Sequence, residues 1–364
     1  MAHTYNLLSL PVSQINFSDP LFDSVKADYE DFDQWLLHAH RTSDSRIAFV
    51  ALNSTSEYAG IAICKVSPAQ NRLKISTFKV AAIWTGYGLG NSLLGQIIAH
   101  AVTNMIRVIV TRIPATGDDA IRFFERAGFR RQPGLSHRGE YIYALDLNGG
   151  SRSFSAINRI AYDQLADEYL IRSCYPTASQ ESPQHLSRSL TKLLPKGTKR
   201  PILELGPGAG DVLAALANDG WNTVAVELSS RMAAIARSKS PTSTIIIADI
   251  LEVDFPHDTF AGVYASAFFH LFPKVTAIQL ISRAATWIDD GGLIFINTTV
   301  ADKSDEGLDL KMDYLRKIAR YRAYWSEVEL LEMIELGGLK VIERLTTAEV
   351  DRSKDWVAFI CAAI

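Results

Sequence analysis

The amino-acid sequence predicts two α/β domains in tandem, the first built on a mixed sheet and the second on a largely parallel one. Three observations predict this. Before residue 148, three strand-like runs follow one another directly, as in an antiparallel meander, and only then alternate with helices. At Asn148-Gly149-Gly150-Ser151-Arg152-Ser153, glycine and serine interrupt both periodicities. Beyond that break, strands and helices alternate regularly, which calls for a parallel sheet covered on both faces. The expected organisation is a first domain over 1–148, a linker over 149–157 and a second domain over 158–364. A chain of 364 residues is long enough for two domains that each bury a core.

In the first domain, Ile47–Leu52, Ala59–Val66 and Leu73–Val80 read as the meander strands. The turn Trp84-Thr85-Gly86-Tyr87-Gly88-Leu89-Gly90 then leads into a long helix ending near Met105. Backbone N–H groups at such a helix start can hold a pyrophosphate without help from side chains. Arg107–Ile113 is a further strand, Asp118–Ala127 a helix, and Glu140–Leu147 a last strand. Within the second helix, Ala120-Ile121-Arg122-Phe123-Phe124-Glu125-Arg126-Ala127-Gly128-Phe129 ends on a glycine stop.

The loop and this helix together resemble the GNAT (Gcn5-related N-acetyltransferase) superfamily, with its R/Q-x-x-G-x-G/A loop and A-x-x-x-Y-x-x-x-G-F helix. The resemblance covers about residues 5–147. It implies an acyl-CoA fold with acetyl-CoA held at Val80, Gly86, Gly88, Leu89, Gly90 and Asn91. Three positions depart from the pattern. Thr85 stands where Arg or Gln is usual, Phe124 where many members carry a thiolate-protonating tyrosine, and Gly117 where asparagine is frequent. No carboxylate lies on Leu73–Val80 to act as a base.

In the second domain, Pro201–Leu205, Thr223–Leu228, Thr244–Ile250, Gly262–Ala267 and Leu293–Val300 read as strands. The first runs into Glu204-Leu205-Gly206-Pro207-Gly208-Ala209-Gly210, which opens the helix Asp211–Asn218. Glycines suit a tight turn that a ligand approaches closely. A lone Gly-x-Gly-x-Gly is shared with nicotinamide and flavin enzymes. Here the dinucleotide fingerprint fails, because it wants glycine at 211 and finds Asp211. Glu227 ends the second strand, where a carboxylate can accept both ribose hydroxyls, and Asp249 ends the third, within reach of an adenine amino group. Either carboxylate could instead cap a helix.

This order of features resembles the class I S-adenosylmethionine (SAM) methyltransferases over roughly residues 160–364. The resemblance implies a Rossmann-like sheet of seven strands, the last antiparallel, and SAM contacts at Glu204, Gly206, Pro207, Gly208, Gly210, Glu227, Leu228, Asp249, Ile250 and Ser266. Tyr162-Asp163-Gln164-Leu165-Ala166-Asp167-Glu168-Tyr169 resembles the lead-in helix that folds over the cofactor. Tyr162 and Tyr169 share one helix face, as lid residues or as a plain apolar contact. Ile288-Asp289-Asp290-Gly291-Gly292-Leu293 resembles the turn into the fifth strand, with Asp290 in place of proline. Trp325–Leu331 resembles the start of the late helix, and Trp356–Phe359 the last strand.

His270, after the fourth strand, is the candidate catalytic residue, since the substrate crevice opens there. The competing reading is a hydrogen-bonded histidine packed beneath the cofactor. Lys311 to Trp325 occupies the place of a substrate lid. It interleaves Lys311, Arg316, Lys317, Arg320 and Arg322 with Tyr314, Tyr321, Tyr324 and Trp325, which would suit an anionic or aromatic small molecule. A helix with one solvated basic face is the alternative.

Composition narrows the function classes. The first 150 residues hold 14 of the 37 Lys+Arg and 13 of the 40 Asp+Glu, so neither half carries the basic excess of a non-specific nucleic-acid binder. No Asn/Asp-Pro-Pro-Tyr/Phe motif follows the fourth strand, where Ala265-Ser266-Ala267-Phe268 stands. Both observations favour a small-molecule acceptor over nucleic acid. Cys64, Cys174 and Cys361 are scattered, so no disulfide framework and no metal site is expected. No signal peptide and no membrane-length apolar run is seen, and a cytoplasmic setting is the expectation. Three readings follow: a bifunctional methyl- and acetyltransferase, a methyltransferase with a CoA-binding or recognition module, and a regulatory protein without turnover. The intact glycine loop with Glu204, Glu227 and Asp249 disfavours the third.

Overall fold

A computed structural model describes residues 5–28, 31–176, 182–312, 317–349 and 354–364. The chain forms two compact units: Met1–Gln164 with Leu308–Arg320, and Leu165–Gly307 with Tyr321–Ile364.

The first unit is a seven-stranded mixed sheet. Its strands are β1 (Asn6–Pro11), β2 (Arg46–Leu52), β3 (Tyr58–Ser67), β4 (Arg72–Val80), β5 (Val108–Ile113), β6 (Arg130–Leu135) and β7 (Tyr141–Asp146), in the order β1-β2-β3-β4-β5-β7-β6. The first four pair antiparallel, as the uninterrupted run of strand signals predicts. The one parallel pair, β4 with β5, spans Arg72–Ile75 against Val108–Thr111. Beyond Ile75, β4 continues to Val80 on its β3 side alone. The two strands thus part beside the glycine turn.

Alternation along each strand supplies both faces. On one, Ala48, Val50, Ile61 and Ile63 pack under α1 (Leu21–Asp28) and α2 (Phe32–Arg41) through Phe22, Val25 and Phe32. On the other, Phe49, Ala62, Cys64, Leu73 and Ile75 pack under α3 (Leu89–Thr103) and α4 (Asp118–Arg126), joined by Ile157 and Ile160. Those two residues belong to α5, a single helix over Ser151–Cys174. The Gly149-Gly150 turn precedes it, so most of the segment that the sequence marks as linker, 149–157, is helical. Nothing in Ser151–Ala156 forbids helix; Gly150, at φ +81°, absorbs the turn and the helix starts at once.

The second unit carries α6 (Pro183–Thr191), β8 (Ile202–Leu205), α7 (Asp211–Asn218), β9 (Thr223–Glu227), α8 (Ser230–Lys239), β10 (Thr244–Ile247), β11 (Phe260–Ser266), α9 (Lys274–Trp287) and β12 (Ile288–Thr299). After β13 (Asp305–Lys311) and β14 (Ile318–Tyr324) come α10 (Glu327–Leu336), β15 (Leu339–Glu349) and β16 (Lys354–Ala363). The sheet order is β10-β9-β8-β11-β12-β16-β15. Strands β8 to β12 pair parallel, and β16 alone runs against its neighbours. Leu203, Leu205, Val263 and Ile294 face α9 and α10, while Ile202, Tyr264 and Phe295 face α6 and α7. Strand order reverses between β8 and β9 on one side and β11 on the other, so a crevice opens at the carboxyl ends of β8, β9 and β11.

The described residues of the lid segment form no helix. β13 and β14 pair as a separate two-stranded sheet. Along β14, Ala319, Tyr321 and Ala323 fall at strand spacing and are buried, with Ile318 beside them.

Candidate functional site

The crevice of the second unit is built from strand ends. β8 ends at Leu205, and Gly206, Gly208 and Gly210 follow with φ of +65°, +56° and +80°. Each side chain here is excluded for its own reason. A Cβ on Gly206 would lie 2.8 Å from the Phe268 ring, and one on Gly210 would lie 2.7 Å from the Ala236 Cα. At Gly208 the nearest group is the Tyr169 ring at 3.8 Å, ordinary contact distance, so there the backbone conformation is the constraint. Pro207, between two of the glycines, is buried.

Glu227 ties this loop to the next strand. Its Oε2 accepts from the Gly208 N–H at 3.2 Å and its Oε1 from the Ser229 N–H at 2.8 Å. The carboxylate is only 6% exposed, so these bonds hold a nearly desolvated charge in one place. Ser229 in turn caps α8 by accepting from the Met232 N–H. Leu228 lies half-buried between the two.

Glu204 is 4% exposed and its Oε2 has no hydrogen-bond partner. Burial, reinforced by the Asp211 and Glu227 carboxylates, pushes its carboxyl up to about 8. Asp211, in the first turn of α7, accepts from the Ser173 hydroxyl and pairs with Lys239 at 2.5 Å. A carboxyl of this kind marks a site fit for a cation, since a positive ligand would offset both its desolvation and its acidic neighbours.

Asp249 stands two residues beyond β10, half-buried, and its Oδ1 accepts from the Leu251 N–H at 3.0 Å. It thereby caps the short turn Ile250–Glu252, in which Ile250 is buried.

After Ser266, the carboxyl end of β11 carries a residue that the sequence did not single out. Ala267 has φ +53°, a strained conformation for a residue with a Cβ, and its N–H donates to the Asn297 carbonyl at 2.7 Å. The strain turns the chain so that Phe268 lies under Gly206. Only a dihedral could reveal this, because Ser-Ala-Phe is unremarkable as a sequence. His270 follows in the turn Phe269–Leu271, 5% exposed, with Nδ1 at 3.2 Å from the Thr298 hydroxyl.

The two lead-in tyrosines fall on opposite sides of the unit division. Tyr169, in the second unit, faces Gly208 as described. Tyr162, in the first, lies 5.8 Å beneath the Arg320 guanidinium. The basic residues of the lid segment are largely engaged within the fold. Lys311 pairs with Asp309 at 3.3 Å, and Arg322 donates to the Thr299 hydroxyl at 2.6 Å. Tyr321, buried, donates to Glu306 at 2.8 Å. Lys317 is exposed, while Tyr314 and Arg316 lie outside the described residues. Among the described residues, no group of three or more His, Cys, Asp or Glu could hold a metal ion, and no helix is long and apolar enough to cross a membrane.

In the first unit the second glycine loop opens α3. Gly86 and Gly88 have φ of +87° and +80°, and Gly88 caps the helix. A Cβ on Gly90 would lie 3.0 Å from the Phe123 ring, while around Gly86 nothing comes within 4 Å. Leu89 is buried in the core, and the Asn91 side chain donates to Asp163 at 3.0 Å. Val80 closes β4, half-buried, where that strand has parted from β5. Phe124 is buried among the Phe78, Phe123 and Phe129 rings, at centroid distances of 5.4, 5.1 and 5.0 Å. The nearby phenol is Tyr143 of β7, which donates to Glu125 at 3.0 Å and is held above the usual tyrosine range by burial and that carboxylate.

Two family models match separate stretches of the chain. Residues 11–129 match the model of the acetyltransferase (GNAT) family, and residues 179–344 match a methyltransferase domain model. An uncharacterised methyltransferase of Alkaliphilus oremlandii is 26% identical over 168 residues, covering 44% of this chain and 74% of that protein. A mitochondrial ribosomal RNA small subunit methyltransferase of Arabidopsis thaliana is 38% identical over 86 residues, 20% of this chain. The match spans 23% of that protein's length. Among solved structures, the CcbJ methyltransferase of Streptomyces caelestis aligns with a TM-score of 0.45 at 21% identity, over 56% of this chain and 97% of that one.

Proposed function

We propose that this chain, which joins a GNAT acetyltransferase domain to a methyltransferase domain, transfers the methyl group of S-adenosylmethionine to a small molecule. The observation that carries the reading is the grip of the Glu227 carboxylate on the Gly208 N–H, which fixes an acidic strand end against the glycine loop. The cofactor's chemistry suits the donor set: a sulfonium-bearing cation beside Glu204, with Asp211 and Glu227 close enough to bias its ionisation.

SAM brings a methyl group already activated for transfer, so the protein's work is placement and exclusion of water. Glu227 and Leu228 are assigned to the ribose, Asp249 and Ile250 to the adenine, and Gly206 to Gly210 with Ser266 to the remainder. Tyr169 covers the loop at Gly208, and Tyr162, one face along α5, is its proposed companion. His270 is proposed for proton transfer or acceptor orientation. Its bond to Thr298 fixes one ring nitrogen and leaves its role to be decided by turnover of His270→Ala.

The first domain is assigned acetyl-CoA at Val80, Gly86, Gly88, Leu89, Gly90 and Asn91. Backbone N–H groups at the start of α3 suit its pyrophosphate. With phenylalanine at 124, no phenol stands there to protonate a leaving thiolate, which favours a binding or recognition module over efficient acetyl transfer. The near-neutral charge of both halves supports a small acceptor, and cytoplasmic residence is proposed with it.

The test is to supply the full-length protein with methyl-labelled SAM and a cell extract fractionated by size. Label in the low-mass fraction is the expected result. Label confined to RNA or protein would overturn the small-molecule assignment, and failure to bind SAM in calorimetry would overturn the reading altogether.

A further inference from the structure

The first unit carries a row of like charges that its fold does not explain. Strand register sets Arg46 of β2 opposite Lys65 of β3, and Lys65 opposite Lys74 of β4. Directly opposed like charges destabilise a sheet, and here two such pairs occur in succession. The row continues the face of Ala48, Val50, Ile61 and Ile63, past the edge of the apolar cluster that α1 and α2 cover. Arg112 of β5 lies two residues beyond Val110, the partner of Lys74, and so shares that face.

These side chains are not ordinary surface cations. Arg46 is 8% exposed; its Nε donates to the Thr42 hydroxyl at 2.9 Å, while its Nη1 is buried without a hydrogen-bond partner. The guanidinium sits 5.9 Å over the Trp35 ring. Lys65 and Lys74 are half-buried. Burial first, then Arg112, Arg46 and Lys65, push the Lys74 ammonium down to about 8 against the opposing pull of Glu140. Glu140, whose carboxylate also accepts from the Ser136 hydroxyl, is the one carboxylate among the charges that act on Lys74. Arg112 approaches His137 at 3.4 Å, another nitrogen group.

We propose that this face of the N-terminal sheet is a binding site for the anionic group of a small molecule, a phosphate or a carboxylate, held by Arg46, Lys65, Lys74 and Arg112. An anion there supplies the missing acceptor for Arg46 Nη1 and neutralises the row. The site stands apart from the glycine loop at α3 and is independent of whether the second unit methylates.

The test uses the full-length chain with inorganic phosphate and, separately, succinate, each titrated calorimetrically at ionic strength held constant with sodium chloride. Lys74→Gln and Lys65→Gln remove half-buried ammonium groups, so both variants keep the packed core. Lys74→Arg keeps the charge. The expected result is binding of at least one anion, weakened tenfold or more in Lys74→Gln and Lys65→Gln and largely retained in Lys74→Arg. SAM affinity stays unchanged in all three. Affinity for succinate, whose carboxyls stay ionised, falls as pH rises through about 8, when Lys74 loses its proton, and this dependence disappears in Lys74→Arg. Tighter phosphate assigns a phosphorylated ligand and tighter succinate a carboxylated one. Wild-type protein that binds neither anion, or Gln variants that bind as wild type does, overturns the proposal.

Discussion

The two glycine loops of this chain look alike in sequence and differ in what surrounds them. Both open a helix, and both place glycines at positive φ. In the second unit the loop is fixed from several sides: Phe268 under Gly206, the Ala236 backbone against Gly210, and Glu227 bonded to Gly208. In the first, Gly86 has open space around it, and the flanking Thr85 replaces a cationic or amide side chain. Charge follows the same division. Buried carboxylates back the second loop, whereas the first is backed by the Phe123 ring at Gly90 and by the Asn91–Asp163 bond. The second loop is held in one conformation by its neighbours; at Gly86 the first is not.

Substitutions can break this contrast. The largest effect is expected for Gly210→Ala, whose Cβ meets immobile backbone of α8 and whose φ disfavours any side chain. Overpacking and left-handed strain together predict a loss of about 2–5 kcal/mol, read by denaturant unfolding. Next comes Glu204→Gln. The Glu204 carboxyl has a raised value in the fold, so the stability it contributes is complete below the ordinary glutamate range and is lost as pH rises through about 8. Thermal melts without SAM should therefore fall from pH 5 to pH 8.5 more steeply in the wild type than in Glu204→Gln. Equal slopes would remove Glu204 from the buried acidic set.

Glu227→Ala should weaken SAM binding by about 1–3 kcal/mol, because it leaves polar partners unsatisfied. Gly86→Ala sharpens the comparison from the other side. With nothing within 4 Å, its cost is confined to backbone strain of about 1–2 kcal/mol, and the rest of the first unit should keep its packing. A loss as large as that of Gly210→Ala would show that the first loop is as tightly built as the second.

Much of this architecture is legible in the sequence. The strand–loop–helix run at Glu204–Gly210 combines an apolar strand with glycines and an acidic end, and Asp211, Glu227 and Asp249 separate it from the dinucleotide pattern. The meander at 47–80 is legible as three strand-like runs that follow one another with no helical pattern between them. What stayed hidden depends on distance through space. The left-handed Ala267 has no sequence signal. The like-charge row of Arg46, Lys65 and Lys74 appears only once register is known, since these residues are far apart in the chain. The lid segment was harder because alternating basic and aromatic residues fit a helix face as well as a strand; pairing between β13 and β14 decides it. The glycine-serine break at 148–153 reads as a linker because composition cannot tell a flexible joint from a helix start, and α5 begins there.

Methyl transfer by this chain depends most directly on SAM binding at the Glu227–Gly208 loop. Isothermal titration of the full-length protein with SAM, beside Glu227→Ala shown by circular dichroism to be folded, tests it in one experiment. The prediction is a single site in the wild type and roughly tenfold or greater loss of affinity in the variant, the fold-change equivalent of about 1.4 kcal/mol. Equal affinity in the two proteins, or no binding by the wild type, would contradict it.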